Sequence, residues 1–251
     1  ADRLFARRSA MRRIRYQEIA DDLRQRARSA SAGTVLPSES ELSAEFSASR
    51  VTIRRALEIV RDDGLIAARQ GFGWFVATEP VRQRLERLGT IDEQLESSGK
   101  AAGRHVIEFG FVAPPPHVAA VLAADRVLRV KRVSLADGAP FAVVTVWCPA
   151  ALALKLSLQD VERHPFFELL DVELRGATQT IGAESAEPAD AELLAVPVGA
   201  PLLKCRRITT DLNGLPVLVS EHVFPAHRTE FVVDLPFDEP SITPAGLRLV
   251  E

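Results

Sequence analysis

Lysine is missing from the first 88 residues of this 251-residue chain, which carry 17 Arg against 12 acids, a balance of +5. The remainder holds 14 bases and 22 acids, a balance of -8 that the overall charge of -3 conceals. A front this basic asks for an anionic partner, and arginine suits bidentate grips on phosphate and guanine that lysine cannot make. Cysteine is scarce as well. Cys148 and Cys205 lie far apart and in no CxxC spacing, which excludes a disulfide framework and a cysteine zinc site and leaves two reduced thiols as the default. No apolar run is long enough to cross a bilayer, and the basic stretch through Arg15 is not followed by the apolar segment of a signal peptide. A cytoplasmic location with no membrane partner is therefore expected. Aromatics are few at 6%, yet 47% apolar and 26% charged residues describe a globular chain, long enough for two modest domains.

What is present begins with helical spacing. Ile19, Ala20, Leu23 and Ala27 mark a helix over about 14–28, with Gly33 as a terminator in the loop that follows. In LPSESELSAEFSASRVTIRRAL, Ser38 and Glu41 form a capping box that opens a second helix over about 39–46. Ser47-Ala48-Ser49 breaks the period, and Ser49 caps a third helix with Ile53, Ala56, Leu57 and Val60 on one inward stripe. Arg50, Thr52, Arg54 and Arg55 are left off that stripe. Asp62-Asp63-Gly64 ends it, and 65–69 and 74–77 read as short strands joined through Gln70-Gly71-Phe72-Gly73. Three helices and a hairpin describe a winged helix-turn-helix.

Residues 82–95 carry Leu85, Leu88, Ile91 and Leu95 near helical spacing and suit an interdomain connector, with a boundary near Glu79-Pro80. Strands are expected at 106–112, 127–135, 141–147, 176–185, 202–211, 217–224 and 231–235, and helical pieces near 117–124, 165–174 and 189–195. Lys131–Pro149 and Arg206–Pro225 resemble each other: each has a basic start, β-branched alternation, an Asp-Gly or Asn-Gly turn and a closing Pro. The simplest reading is a duplicated strand-turn-strand unit inside one α+β domain.

A helix-turn-helix needs a tight turn that lays its second helix into the major groove, N-terminal residues first. Arg50 is the leading candidate for a base or phosphate contact, since arginine bridges O6 and N7 of guanine. Ser49 and Thr52 suit phosphate or mixed contacts, and Arg54 phosphate. Taken alone, the third helix fits a solvated face or a protein-binding module equally well; the capped second helix, short turn and glycine-rich wing in a basic segment favour DNA. The pattern LPSESEL, SASRVTIRRAL, DDGLIAARQGFGWFVA closely resembles the winged helix-turn-helix of the GntR family of bacterial transcription factors. The resemblance implies double-stranded DNA as partner and points to Ser49, Arg50, Thr52, Arg54, Gln70 and Gly71 as contacts, with Ser38, Ser40 and Arg55 completing that face. Ser40 stands where the family commonly has Arg, so one guanine contact is expected to be absent. Phe72 and Trp74 replace smaller wing residues, and packing under the wing is the plain account of them.

From about Leu88 to Leu235 the chain resembles the UTRA effector-binding domain of the HutC subgroup, in ADGAPFA, PFFELL, PADAELLAVPVGAPLLKCRRI and HRTEF. That likeness implies an α+β fold with a mainly antiparallel sheet, similar to chorismate lyase, and a homodimer whose DNA affinity follows a small-molecule effector. The expected organisation is a winged helix-turn-helix over 12–79, a linker over 80–87 and the effector and dimerisation domain over 88–251. A lyase-like enzyme is the rival. His105, His117, His164, His222, His227 and Glu221 show no catalytic spacing, and no clustered metal ligands occur, so no enzyme, metal or cofactor is expected. For the effector, period-two alternation puts Val130, Arg132 and Ser134 on one face and Leu218, Ser220, His222 and Phe224 on another. Sugar-phosphate-sensing relatives offer two Arg, a serine pair and a Glu near these positions; here Arg132 is kept, Ser134 replaces the second Arg, His164-Pro165 the serines, and Val144 or Leu218 the acid. Thr90 and Phe167 complete the candidate set. The expected effector is smaller or more apolar than a sugar phosphate, a carboxylate held by Arg132 with His164 or His222 in support, although an Arg132 paired with a nearby acid is nearly as good a reading.

Overall fold

The computed structural model describes residues 2–85 and 90–235, with side chains described from Arg15 onward and that of Arg84 excepted. The first helix, α1 (Asp2–Ser29), starts well before the expected 14 and buries Ile19, Ala20, Leu23 and Ala27. Next come α2 (Glu39–Glu45) and α3 (Arg50–Asp62), then a hairpin of β1 (Ile66–Arg69) and β2 (Gly73–Val76), paired antiparallel. The cause of this unit is visible in its core, where Leu42, Ile53, Ala56, Leu57 and Val60 have no solvent exposure. They meet the buried stripe of α1, as helical spacing requires.

The stretch read as a linker contains a strand, β3 (Val81–Arg84), and the expected connector helix is confined to α4 (Ile91–Ser97). Residues 86–89, with Leu88 among them, lie outside the described residues. Then follow β4 (Ala102–Val112), α5 (Pro116–Leu122), β5 (Val127–Ala136), β6 (Ala139–Pro149), α6 (Ala150–Ala153) and α7 (Leu158–Arg163). In place of the helix expected over 165–174 there is only a 3-10 turn at Phe166–Glu168, because the helix-forming signal lies earlier: Ser157 and Asp160 make a capping box for α7. The chain continues through β7 (Leu174–Ser185), α8 (Pro188–Leu194), β8 (Pro201–Asp211), β9 (Pro216–Pro225) and β10 (Thr229–Val232). The final strand sits two residues earlier than expected and is shorter, since its partner is β3: the two run parallel in a separate two-stranded sheet that joins residues 81–84 to 229–232.

Six strands form the main sheet in the order β4-β5-β6-β9-β8-β7, antiparallel throughout. That order is palindromic, and the duplication read from the hairpins is larger than they suggested. Each half is strand, helix, strand, strand; α5 and α8 both start with Pro in their first turn, and both end on a left-handed alanine, Ala123 at φ 47° and Ala195 at φ 51°. At the first hairpin Asp137 and Gly138 both take positive φ, 51° and 80°, as an Asp-Gly turn of two residues demands. One face of the sheet carries the main core with Val144, Leu218 and Phe224, and the opposite face takes α5 and α8.

Candidate DNA-binding face and effector pocket

The turn between α2 and α3 is held from outside. Ser47 takes φ 47°, costly for a residue with a side chain, and the Arg15 guanidinium donates to the carbonyls of Phe46 and Ser47 at 3.1 and 2.8 Å. Ser49 then caps α3, its Oγ accepting from the Thr52 amide at 3.2 Å. Ser49→Ala is expected to lower the thermal or urea stability of the head by about 1 kcal/mol, measured by unfolding, because an N-cap hydroxyl satisfies an otherwise orphan amide.

With its apolar stripe turned in, α3 presents Arg50, Arg54 and Arg55 to solvent. Arg50 Nη2 donates to Ser40 Oγ at 2.9 Å, so the serine that replaces the family's arginine orients its neighbour. Arg54 makes two bonds to Glu39, at 3.1 and 2.8 Å, and that arginine holds the Glu39 carboxyl below its ordinary range. Arg55 reaches Glu58 at 3.4 Å. Thr52 departs from expectation: it is buried, at 9% exposure, with its hydroxyl 2.8 Å from Ser49 Oγ, because position 52 borders the inward stripe. Ser38 is exposed, but its hydroxyl serves the cap of α2. Val51, not among the expected contacts, stands 70% exposed beside Arg50. It was legible as an apolar residue off the stripe.

In the wing, Gln70 and Gly71 are exposed at the tip while Phe72 turns inward, its ring 3.9 Å from His227 and 5.4 Å from Phe75. Phe72 and Phe75 share a buried cluster with Val133, Val143, Leu194 and Leu202 of the second half, so the wing packs on the back of the main sheet. Gly33 completes the junction. A Cβ there would lie 2.7 Å from Arg228 Cδ, and φ is 79°, so any other residue would strain the backbone and displace the Arg228 side chain. His227 Nε2 sits 3.3 Å from the Gly33 carbonyl oxygen. Trp74 points elsewhere, its indole donating to Glu39 at 3.4 Å.

On the core face, cross-strand register sets Val106, Arg132, Val144, His222, Cys205 and Ile181 in one row. Ser220, Arg207 and Gln179 occupy the next row. Among the described residues no carboxylate pairs with Arg132 or Arg207, and Arg132 Nε is buried without a hydrogen-bond partner. Burial pushes the Arg132 pKa down to about 10, with Arg104 adding repulsion. The reading in which Arg132 simply pairs with an acid therefore fails. Arg207 is depressed by burial too, and its Nε donates to Gln179 Oε1 at 2.9 Å. His222 is pushed down to about 3 by burial and by Arg207 and Arg132, so its ring is neutral, 3.0 Å from Ser220 Oγ.

The structure thus brings Arg132, Ser134, Val144, Leu218, His222 and Phe224 to one face. It separates others. The His164 ring is exposed, and the residue's carbonyl, not its ring, accepts from Arg104 at 2.8 Å. Thr90 is buried as the cap of α4, its hydroxyl taken by the Glu93 amide at 3.0 Å, and Phe167 is half-buried in the 3-10 turn. Arg207 and Gln179 were missed, though Arg207 occupies in the second hairpin the place of Arg132 in the first. Arg104 lies on the same face but is paired with Asp92. Cys148 and Cys205 are buried thiols pushed up to about 12, which makes both inert.

A family model described as "UTRA domain" matches residues 97–230, and one described as "Bacterial regulatory proteins, gntR family" matches 15–76. The "Histidine utilization repressor" of Pseudomonas putida is 32% identical over 198 residues, 77% of this chain and 79% of that protein. The "HTH-type transcriptional repressor NagR" of Bacillus subtilis is 28% identical over 207 residues, 78% of this chain and 84% of its own length. The crystal structure of PhnF from Mycobacterium smegmatis superposes with a TM-score of 0.59 at 24% identity, covering 87% of this chain and 99% of that one, a likeness of fold. The Pseudomonas putida and Bacillus subtilis relatives are both repressors, which sets aside the lyase-like enzyme. With a basic helix-turn-helix in front and an arginine-lined sheet behind, the chain belongs to the GntR family of ligand-responsive transcriptional repressors, in the HutC subgroup that carries a UTRA domain.

Proposed function

We propose that the chain acts as a homodimeric repressor of a palindromic operator, released or tightened by a small carboxylate. The observation that carries the DNA half is the outward set Arg50, Arg54 and Arg55 on a helix whose entry is braced by Ser40, Ser49 and Arg15. Arg50 reads a guanine, Val51 packs on a neighbouring thymine methyl, and Ser49, Arg54 and Arg55 hold phosphate. Arg54 must leave Glu39 to do so. Gln70 and Gly71 meet the adjacent groove. A homodimer follows from the geometry of half-sites, since one helix alone reads too few bases. Binding of the purified chain to DNA upstream of its own coding region, measured at several stated salt concentrations, tests this: log affinity must fall steeply as log salt rises.

The effector half rests on Arg132, a guanidinium with an unspent Nε on a face that it shares with apolar Val144, Leu218 and Phe224 and with Ser134, Ser220, His222 and Arg207. A carboxylate supplies the missing acceptor, and apolar neighbours suit a compact body. Histidine, for which one relative is named, carries such a group. Arg132→Met is expected to raise the melting temperature of the ligand-free protein, because a buried donor left unsatisfied costs about 1–3 kcal/mol and a charged one more, and to abolish the thermal shift given by carboxylates. Running the same metabolite panel with product analysis separates sensor from enzyme: a stabilising compound must be recovered unchanged.

A further inference from the structure

The strand that stands where a linker was expected turns one face to the core. Arg82 of β3 and Glu230 of β10 are exposed and pair at 3.4 Å, while Val81, Gln83 and Thr229 are buried and Phe231 is half-buried. Parallel register sets Thr229 beside Val81 and Phe231 beside Gln83, so these four share the inner face. Val81 belongs to the main core with Val144, Leu218 and Phe224, and the Phe231 ring packs on that core, 5.8 Å from the ring of Phe224. Phe224 in turn lies 6.2 Å from the ring of His222, in the row of Arg132. The small sheet therefore covers the face of the main sheet that carries the arginines.

Two polar side chains under that cover have nothing to bond. Gln83 is 5% exposed and Thr229 3%, and Gln83 Nε2 and Thr229 Oγ1 have no hydrogen-bond partner among the described residues. A buried donor without an acceptor is costly, and native folds keep few of them. Arg132 Nε is a third, on the sheet beneath. A guanidinium on one layer of this core, with a carboxamide and a hydroxyl on the other, fits a single ligand that is polar at both ends.

We propose that Gln83 and Thr229 are effector-binding residues, and that the effector is a carboxylate with a hydroxyl or carbonyl oxygen at its far end. Arg132 takes the carboxylate, and Gln83 Nε2 and Thr229 Oγ1 donate to the distal oxygen. The inference rests on the carboxylate reading above and adds specificity to it. It also puts one binding residue ahead of the matched effector domain, which begins at residue 97. β2 ends at Val76 and β3 begins at Val81, so a ligand bonded to Gln83 grips the chain just after it leaves the wing.

Paired acids that differ in the distal oxygen test this on the full chain by titration calorimetry: valerate against levulinate, and butyrate against γ-hydroxybutyrate. The oxygen-bearing member of a pair is expected to bind about tenfold tighter. Gln83→Met, close in shape but without the amide, is expected to close that gap, and Thr229→Val to narrow it. Arg82→Ala, on the outer face of the same strand, is expected to keep the preference, which separates a lost bond from a disturbed strand. Equal affinity of the wild type for both members of each pair, or a preference that survives both Gln83→Met and Thr229→Val, overturns this assignment and leaves the carboxylate reading standing. Failure of every acid to bind, or binding that survives Arg132→Met, overturns that reading and this one with it.

Discussion

Arg50→Ala is expected to lower operator affinity by about 1–3 kcal/mol in each half-site, and so by about 2–6 kcal/mol for a bound dimer. The magnitude follows from position. Arg50 is the first residue of α3, outside the stripe and exposed; its guanidinium donates to the exposed Ser40 hydroxyl at 2.9 Å and lies close enough to Glu39 to help hold that carboxyl low. Its removal leaves no buried group unpaired, so the melting curve of the variant should stay within about 0.5 kcal/mol of the wild type. The loss should also depend on sequence: mutating the guanine that Arg50 reads should leave wild type and variant equally weak. Arg55→Ala, by contrast, should weaken every duplex alike and reduce the salt slope by about one. Equal loss on operator and on unrelated DNA would make Arg50 a phosphate contact, and unchanged affinity would remove α3 from the groove.

The head of this molecule was legible because its signals are local. A capping box, a capped third helix and a stripe at helical spacing each lie within a dozen residues, and the structure reproduces them nearly to the residue. Thr52 shows the limit of that reading, since one residue at the border of a stripe goes in or out according to what packs beside it. The second half was legible where alternation governs. Arg132, Ser134, His222 and Phe224 share a face because strands have period two. What stayed hidden depends on pairing across distance. The parallel contact of β3 with β10 joins residues nearly 150 apart, and no spacing within either strand announces it. Phe72 packs under the wing as its apolar ring suggests, but its partner His227 lies far along the chain and no local spacing announces it. Arg207 is the instructive omission: the duplicated hairpins were recognised, and equating Arg132 with Arg207 needed only the further step of asking whether both copies use the same position.

Acidification from pH 7 to pH 5 is expected to destabilise the effector half by about 4 kcal/mol, through two histidines held neutral by their surroundings. His227, 3% exposed between Phe72 and Phe75, is pushed down to about 4 by burial, with Arg228 and Arg69 adding repulsion and the Gly33 carbonyl opposing it. His222 is pushed down to about 3. Both folded values lie below the unfolded value of roughly 6.5. The unfolded chain therefore takes up two protons as pH falls through that value while the folded chain takes up neither, and stability is lost on the acid side. A pH of 5 lies about 1.5 units below the unfolded pKa while both folded histidines are still neutral, which is about 2 kcal/mol apiece. Carboxylates held low by arginine, such as Glu39 and Glu45, act at lower pH, so they do not account for loss in this window. Urea midpoints at pH 7, 6 and 5 measure the slope. His227→Gln keeps a donor for Gly33 but cannot titrate. It is expected to start less stable, having lost its stacking on Phe72, and yet to lose only half as much on acidification. If its slope equals that of the wild type, the ring of His227 is not buried between wing and sheet in solution, and the wing is free of the effector domain.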